Sequence, residues 1–367
     1  MSPASLHYPH PTPPQPGVVV DLTPNVRWLR MPLPLALDHI NLYLIRDKSH
    51  GDYGDYGDYG DYGRHGNGWL LVDTGIADER TRHLWTQLFA GPLAGCKLTG
   101  VLSTHHHFDH AGLAGWLVEQ WRVPFYISLG EYYTLRDLAA STQQGNELPW
   151  AHRDYFHRAG MPENRLPAIH AMLCAAGQLL SPPPASFRRL RHGESLTLGE
   201  HVWQLHLGEG HVAEHMLLHC AKEGILIAGD QLLPRITSNV SVLPSEPEAD
   251  LLAGWFDTLE RLSQLPADTL ILPAHDLPYH GLHQRVAQLQ HHHERQFEAL
   301  ERLCTNQALT AYEAAHQLFH HRSLEAPMEE MMAMGEALAH LIWLTRRGRM
   351  QRQQDTNGQY RYRSLPA

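Results

Sequence analysis

Residues able to bind a metal ion crowd into one short run, Thr104-His105-His106-His107-Phe108-Asp109-His110. Taken as His-x-His-x-Asp-His, the run offers His105, His107, Asp109 and His110 as candidate ligands. Three imidazoles and a carboxylate suit a borderline divalent ion such as zinc. In a chain with 29 histidines, a histidine-rich surface loop is the plain alternative. Position argues against it. The apolar run 98–102 reads as a buried strand and 111–118 as the opening of a helix, so the histidines occupy a strand-to-helix turn. Open α/β architectures place their chemistry at strand ends.

Further elements must hold that turn. Strands are expected at 26–29, 39–45 and 69–73, and a helix over 78–89 with Leu84, Leu88 and Phe89 on one face. After the turn come a helix to Trp121 and a strand at 123–127, an alternation typical of α/β folds. A second strand-rich half opens at Arg188: a strand and tight turn at 194–200, an alternating strand at 201–207, an apolar strand ending in Asp230, and another ending in His275. His206 and His219 are expected at exposed strand positions, without a role. Between the halves, residues 131–186 break the pattern with Pro149, Pro162, Pro167 and the run Pro182-Pro183-Pro184. Such a stretch reads as a lid or substrate flap, with packing decoration as the alternative. Tyr132, Tyr133, Trp150, Tyr155, Phe156 and Met161 are the candidate apolar wall of a lid.

Residues 1–17 are Pro-rich and expected to be a disordered tail. Residues 51–63 are an Asp-Tyr-Gly repeat, expected as a solvated hairpin loop; if strand 69–73 runs toward the metal turn, strand 39–45 runs away from it and the loop falls at the opposite end of the sheet. The catalytic domain is expected over 18–290 and a helical module over 291–367. That module begins with a helix running 285–303 and carries a capping box, Thr310 with Glu313. A further helix from Pro327 and the turn residues Asn357-Gly358 between two alternating runs complete it. Helix, helix, helix, hairpin is a winged-helix pattern.

The formal charge of −10 argues against nonspecific nucleic-acid binding by the whole molecule. Cys96, Cys174, Cys220 and Cys304 form no Cys-x-x-Cys pair and read as reduced thiols in a cytoplasmic protein. No apolar run reaches the ~18 residues of a membrane span. The oligomeric state, a homo-oligomer included, stays open.

The motif at 105–110 resembles the metallo-β-lactamase superfamily signature, and matching pieces recur in order over roughly residues 24–290. The resemblance implies an αββα sandwich with a small C-terminal winged-helix-like domain. Asp73-Thr74-Gly75 is similar to the superfamily's turn beside the metals, and Gly210-His211 stands where Pro-Gly-His is usual. Pro273-Ala274-His275-Asp276 is similar to the last ligand motif, with Ala274 and Asp276 replacing the usual glycines. His280 and His283 are weaker rivals to His275. The implied set is His105, His107 and His211 for one ion and Asp109, His110 and His275 for the other, with Asp230 bridging. His215 is expected to orient a ligand from behind. Two zinc ions so held ~3.5–4 Å apart share a hydroxide, and Asp109 both binds metal and orients that nucleophile.

Departures narrow the class. Imidazole at His107, where flavodiiron proteins have Glu, favours zinc. Asp230 argues against antibiotic hydrolysis, because the common zinc β-lactamases lack a bridging carboxylate. The set looks more like that of hydroxyacylglutathione hydrolase (glyoxalase II), whose glutathione-binding C-terminal domain is not matched here. The layout also resembles glyoxylase-like hydrolases and the mitochondrial endoribonuclease branch. The expected function is therefore a hydrolase of a small acyl ester, thioester or lactone. A single-strand endoribonuclease and a winged-helix regulatory protein are the alternatives, and Arg346, Arg347, Arg349, Arg352, Arg361 and Arg363 would suit phosphates.

Overall fold

The computed structural model describes residues 6–47, 68–141 and 147–366. One sheet runs β1 (Val19–Thr23), β2 (Val26–Pro32), β3 (His39–Asp47), β4 (Gly68–Val72), β5 (Lys97–Leu102), β6 (Phe125–Ile127), β7 (Arg188–Arg189), in that spatial order. The second is ordered β12 (Leu270–Pro273), β11 (Ile225–Gly229), β10 (His215–Cys220), β9 (His201–Gly208), β8 (Ser195–Leu198). The helices of this part are α1 (Glu79–Ala90), α2 (Phe108–Ala111), α3 (Ala114–Trp121), α4 (Leu129–Ser141), α5 (Trp150–Arg158), α6 (Leu166–Gly177), α7 (Leu251–Leu262) and α8 (Leu282–Leu303).

Successive strand residues face opposite ways, and this sorts the apolar side chains into three cores. Trp28, Tyr43, Ile45 and Leu70 meet Trp203, Leu205, Met216 and Ile227 between the sheets. Their neighbours Leu29, Leu42, Leu44 and Leu71 pack outward against Trp85, Leu88 and Leu117 of α1 and α3. Leu217, Leu226 and Ile271 pack outward against Trp255, Leu259, Val286 and Leu289 of α7 and α8. The layers are therefore helix, sheet, sheet, helix: the α/β sandwich expected from the sequence. Strands β4, β5 and β6 are parallel, as are β11 and β12, while β3 is antiparallel to β4. The residues that follow β4, β5, β11 and β12 gather at one end, where β3 begins. Asp47 and Gly68 pair at the far end of β3 and β4. The Asp-Tyr-Gly repeat lies outside the described residues.

The chain continues with α9 (Ala311–Leu318), α10 (Pro327–Arg346) and the hairpin β13 (Met350–Gln354) and β14 (Tyr360–Ser364). Both halves of the capping box form, Glu313 N to Thr310 Oγ1 at 3.2 Å and Thr310 N to Glu313 Oε2 at 2.9 Å. The expected order of elements is present. The expected boundary at residue 290 is not a break, because α8 runs through it without interruption.

Two other expectations change. Residues 6–17 are not a free tail: His7 exchanges backbone hydrogen bonds with His280, Leu6 packs into the helix-side core, and Tyr8 lies against Tyr279. Prolines do not prevent this, since the single bridge uses the N–H and C=O of a non-proline residue. Nor do the aromatics of 131–186 form one wall. Tyr155, Phe156 and Met161 are buried with the helices of the C-terminal module, and Tyr132 stacks on Phe187 beneath the first sheet. Only Tyr133 and Trp150 of that group are exposed. The region braces the module instead. Tyr312 N donates to the Ala159 carbonyl, Arg165 pairs with Glu330, and Gly160, at φ +88°, sits so close to Thr310 that a Cβ would collide with its side chain.

Two outcomes follow. Deleting residues 306–367 should strip the cover from α8 and α5 and abolish soluble expression; a monodisperse, cooperatively folding truncate would show that the module is separable. The second concerns Glu336 on α10, whose carboxyl burial pushes up to about 7, with Arg322 and the Asn239 amide drawing it back only in part. A raised folded-state value means stability is whole below the unfolded value and is lost as pH climbs through about 7. Glu336→Gln should therefore stabilise metal-free protein at pH 8, by up to ~3 kcal/mol, and have little effect at pH 5. Thermal melts at the two pH values check this.

Candidate metal centre

Each strand end contributes a side chain and a device that aims it. After β4, Asp73 takes a left-handed backbone conformation, φ 62°. Its carboxylate accepts hydrogen bonds from Thr104 N at 2.8 Å and Thr104 Oγ1 at 2.9 Å, tying β4 to the turn after β5. The same carboxylate lies 2.8 Å from His110 Nδ1. A carboxylate only accepts, so Nδ1 carries the proton and Nε2 presents its lone pair. His275 donates from Nδ1 to the His39 carbonyl at 2.7 Å, and His211 from Nδ1 to the Asn239 carbonyl at 2.8 Å. Three imidazoles thus have their outer nitrogen fixed and Nε2 aimed inward.

These inner atoms converge. His105 Nε2 and His107 Nδ1 are 2.9 Å apart. Asp230 Oδ2 lies 3.4 Å from His211 Nε2, while its Oδ1 lies 3.3 Å from His275 Nε2 and 3.5 Å from His110 Nε2. Asp109 Oδ2 is 3.5 Å from His275 Nε2. The structure brings all seven residues named from the sequence together in two groups: His105, His107, His211 and Asp230, and Asp109, His110 and His275. Within each group the donor atoms lie within 4.8 Å of one another. Asp230 faces both groups, one oxygen to each.

A cation fits this arrangement. His110 Nε2, His211 Nε2 and Asp230 Oδ1 are buried without any hydrogen-bond partner. Buried polar atoms are normally paired, and these three point at the same place. Burial and the neighbouring imidazoles hold His105 and His107 well below the ordinary histidine range, which keeps them neutral and able to ligate. Burial acts to raise the Asp230 carboxyl, but His275 and His110 outweigh it and hold the group well below the usual range.

Gly229 explains how Asp230 is reached. At φ +49° it lies flat against the His215 ring, where a Cβ would stand 2.6 Å from the imidazole. That space lets His215 Nε2 accept from Asp230 N at 3.1 Å. Burial drives His215 down to about 3, so it is a neutral acceptor, turned to the backbone of Asp230 rather than to the centre. The rivals to His275 point elsewhere: His280 stacks on His7 and His283 hydrogen-bonds the Leu265 carbonyl. His219, expected at an exposed position, is buried, because β10 is covered on both faces.

Glu131 had no sequence signal as a site residue. It is buried, accepts from His106 N at 3.1 Å and from Glu214 N at 3.0 Å, and lies 2.5 Å from His106 Nδ1. Burial opposes its charge, but His106 prevails and lowers its carboxyl. It staples the metal turn to the loop carrying His211. A lone acidic residue at the start of a helix looks like any other, so only the fold reveals it.

The sequence profile of the Metallo-beta-lactamase superfamily matches residues 63–275, a span that contains all seven residues. The chain belongs to that superfamily. A second profile, Metallo-beta-lactamase-like, C-terminal domain, matches residues 297–365. A curated relative, "Probable metallo-hydrolase YqjP" of Bacillus subtilis, is 25% identical over 87% of this chain and 92% of its own length. Among solved structures, a beta-lactamase domain protein from Burkholderia ambifaria is similar at 38% identity, covering 98% of each chain with a TM-score of 0.85. A metallo-beta-lactamase family protein from Thermus thermophilus, TTHA1429, is similar at 26% identity, with 94% of this chain and 100% of that one covered and a TM-score of 0.75. The second profile and these two structures show that the superfamily core and its C-terminal extension occur together.

Asp230→Ala should lower the metal content of the chain, since it removes the carboxylate that faces both groups. Asp73→Ala should keep the stoichiometry but weaken affinity about 10–100-fold, the usual effect of losing a group that orients a ligand. Elemental analysis and chelator competition distinguish the two. Full occupancy in Asp230→Ala would show that it does not bridge.

Proposed function

We propose that this superfamily member is a dinuclear metal-dependent hydrolase of a small acyl ester, thioester or lactone. One observation carries the two-ion reading: the two oxygens of Asp230 face separate donor groups. Five imidazoles and two carboxylates suit zinc. When bound, two such ions supply a water of lowered pKa and polarise the attacked carbonyl.

The chain's own groups do the rest. Asp109 retains slight exposure beside His275, so its carboxylate can accept a hydrogen bond from an attacking water and set its approach. His110, His211 and His275 cannot turn to act as bases, because their outer nitrogens are engaged by Asp73, Asn239 and His39. Asp230 offsets cationic charge and keeps the two groups in register.

The hydrolase class agrees with the printed name of the Bacillus relative. A small substrate, rather than nucleic acid, is favoured by the C-terminal arginines. Arg347 pairs with Asp250, Arg349 with Glu301, Arg352 with Glu248 and Arg361 with Asp355, and Arg346 donates to the Glu248 carbonyl. Carboxylates of the same chain thus face four of the six charges that phosphates would need. Beside the His211 loop, the cavity lined by Glu209, Asp257, Glu260 and Arg261 carries net negative charge. Among the described residues no helix is long and apolar enough to cross a membrane.

A panel of acyl esters, thioesters, lactones, phosphodiesters and single-stranded RNA tests the reading. Turnover of an acyl substrate is expected, lost on chelation, restored by zinc and reduced at least about 100-fold in Asp109→Ala. Asp230-dependent cleavage of RNA with no acyl turnover would overturn it in favour of the ribonuclease alternative.

A further inference from the structure

His211 depends on a backbone atom that has no strand or helix to hold it. Asn239, whose carbonyl accepts from His211 Nδ1, lies in the irregular stretch between β11 and α7. That stretch is fastened to α10. Asn239 Nδ2 donates to Glu336 Oε2 at 3.1 Å, and Val242 N donates to the Gly335 carbonyl at 3.1 Å. Ser241 Oγ lies against Asn239 Oδ1 and 2.8 Å from the Met332 carbonyl. The fit is close: a Cβ on Gly335 would stand 2.8 Å from Val242 O and 2.9 Å from Ser241 Cβ. From the other side Tyr155 Oη donates to the Val242 carbonyl at 2.7 Å. The same stretch reaches a second member of the centre, because Ser238 Oγ donates to the Asp230 carbonyl.

We infer that the C-terminal module positions the metal centre: Glu336, acting through Asn239, holds His211 on the ion it shares with His105 and His107. The inference rests on the two-ion reading above. Glu336 touches neither the centre nor any of its seven residues, so it is a positioning residue. Its side-chain oxygen fixes the Asn239 amide, the peptide follows, and the Asn239 carbonyl then fixes both the tautomer and the direction of the His211 ring. Without that acceptor the ring is free to swing and the ion loses one of its three imidazoles.

The test is zinc affinity of the full-length chain, by competition with a chromophoric chelator, supported by the visible spectrum of the cobalt-substituted protein. Wild type should bind two ions. Glu336→Ala should weaken one of them about 10–100-fold and change the cobalt spectrum while the second ion stays bound. Glu336→Gln should keep wild-type affinity, because an amide oxygen still accepts from Asn239. Asn239→Ala should repeat the loss, and it decides the matter should Glu336→Ala not fold. Leu344→Ala, a cavity about two turns further along α10, should lower the melting midpoint and leave affinity unchanged. Wild-type affinity in both Glu336→Ala and Asn239→Ala, or an equal loss in Leu344→Ala, would overturn the inference. A wild-type chain that takes up no zinc would instead overturn the two-ion reading beneath it.

Discussion

Asp230 is a carboxylate held almost out of water, and the structure can keep it there only because cationic or cation-binding groups face both its oxygens. An isolated buried charge is unfavourable by several kcal/mol even after relaxation. His110, His211 and His275 reduce that cost, and a bound cation would reduce it further. The rest of the architecture follows from bringing groups from both sheets to one carboxylate. The sheets must pack with the ends of β4, β5, β11 and β12 at one edge, and β3 must begin there to offer the His39 carbonyl.

Aim is a separate requirement from proximity. An imidazole has two nitrogens, and it ligates with one only if the other is committed. Three different elements meet that need here: the Asp73 side chain after β4, the His39 carbonyl at the start of β3, and the Asn239 carbonyl on a loop held by α10. Two of the three are backbone atoms. Their positions are set by the packing of whole layers, so the cores between and outside the sheets act on the centre directly.

This division explains what could be read in advance. Apolar runs ending in Asp73, Asp230 and His275, and the compact His-x-His-x-Asp-His turn, carry their meaning in residue type and spacing, so strands and candidate ligands were visible together. A backbone carbonyl has no residue type to read, which is why His39 and Asn239 were invisible. Glu131 was hidden for another reason: its partners, His106 and Glu214, come from opposite halves of the sandwich. The insertion stayed open between lid and packing because aromatic residues look alike in a lid and in a core. Tyr155 and Phe156 are buried in one core with residues of α10, which lies more than a hundred residues further along the chain. Local periodicity cannot report a partner that distant.

Magnitudes decide what holds the C-terminal module in place. The ion pairs Arg347–Asp250, Arg349–Glu301 and Arg352–Glu248 are partly exposed. Pairs of that kind contribute about 0–1 kcal/mol each and are screened by salt. By contrast, Phe297, Leu300, Phe319, Leu341 and Leu344 are almost fully buried where α8, α9 and α10 meet. Side chains of that size contribute roughly 1.5–3 kcal/mol each on burial. The apolar interface therefore outweighs the ion pairs several-fold, and the arginines are not needed to keep the module docked. What they change is the surface potential. Arg347, Arg349, Arg352 and Arg361 each face a carboxylate of a net-negative chain. A module attached by its apolar side is suited to hold the Asn239 loop, which hydrogen-bonds to α10 at Glu336, Met332 and Gly335.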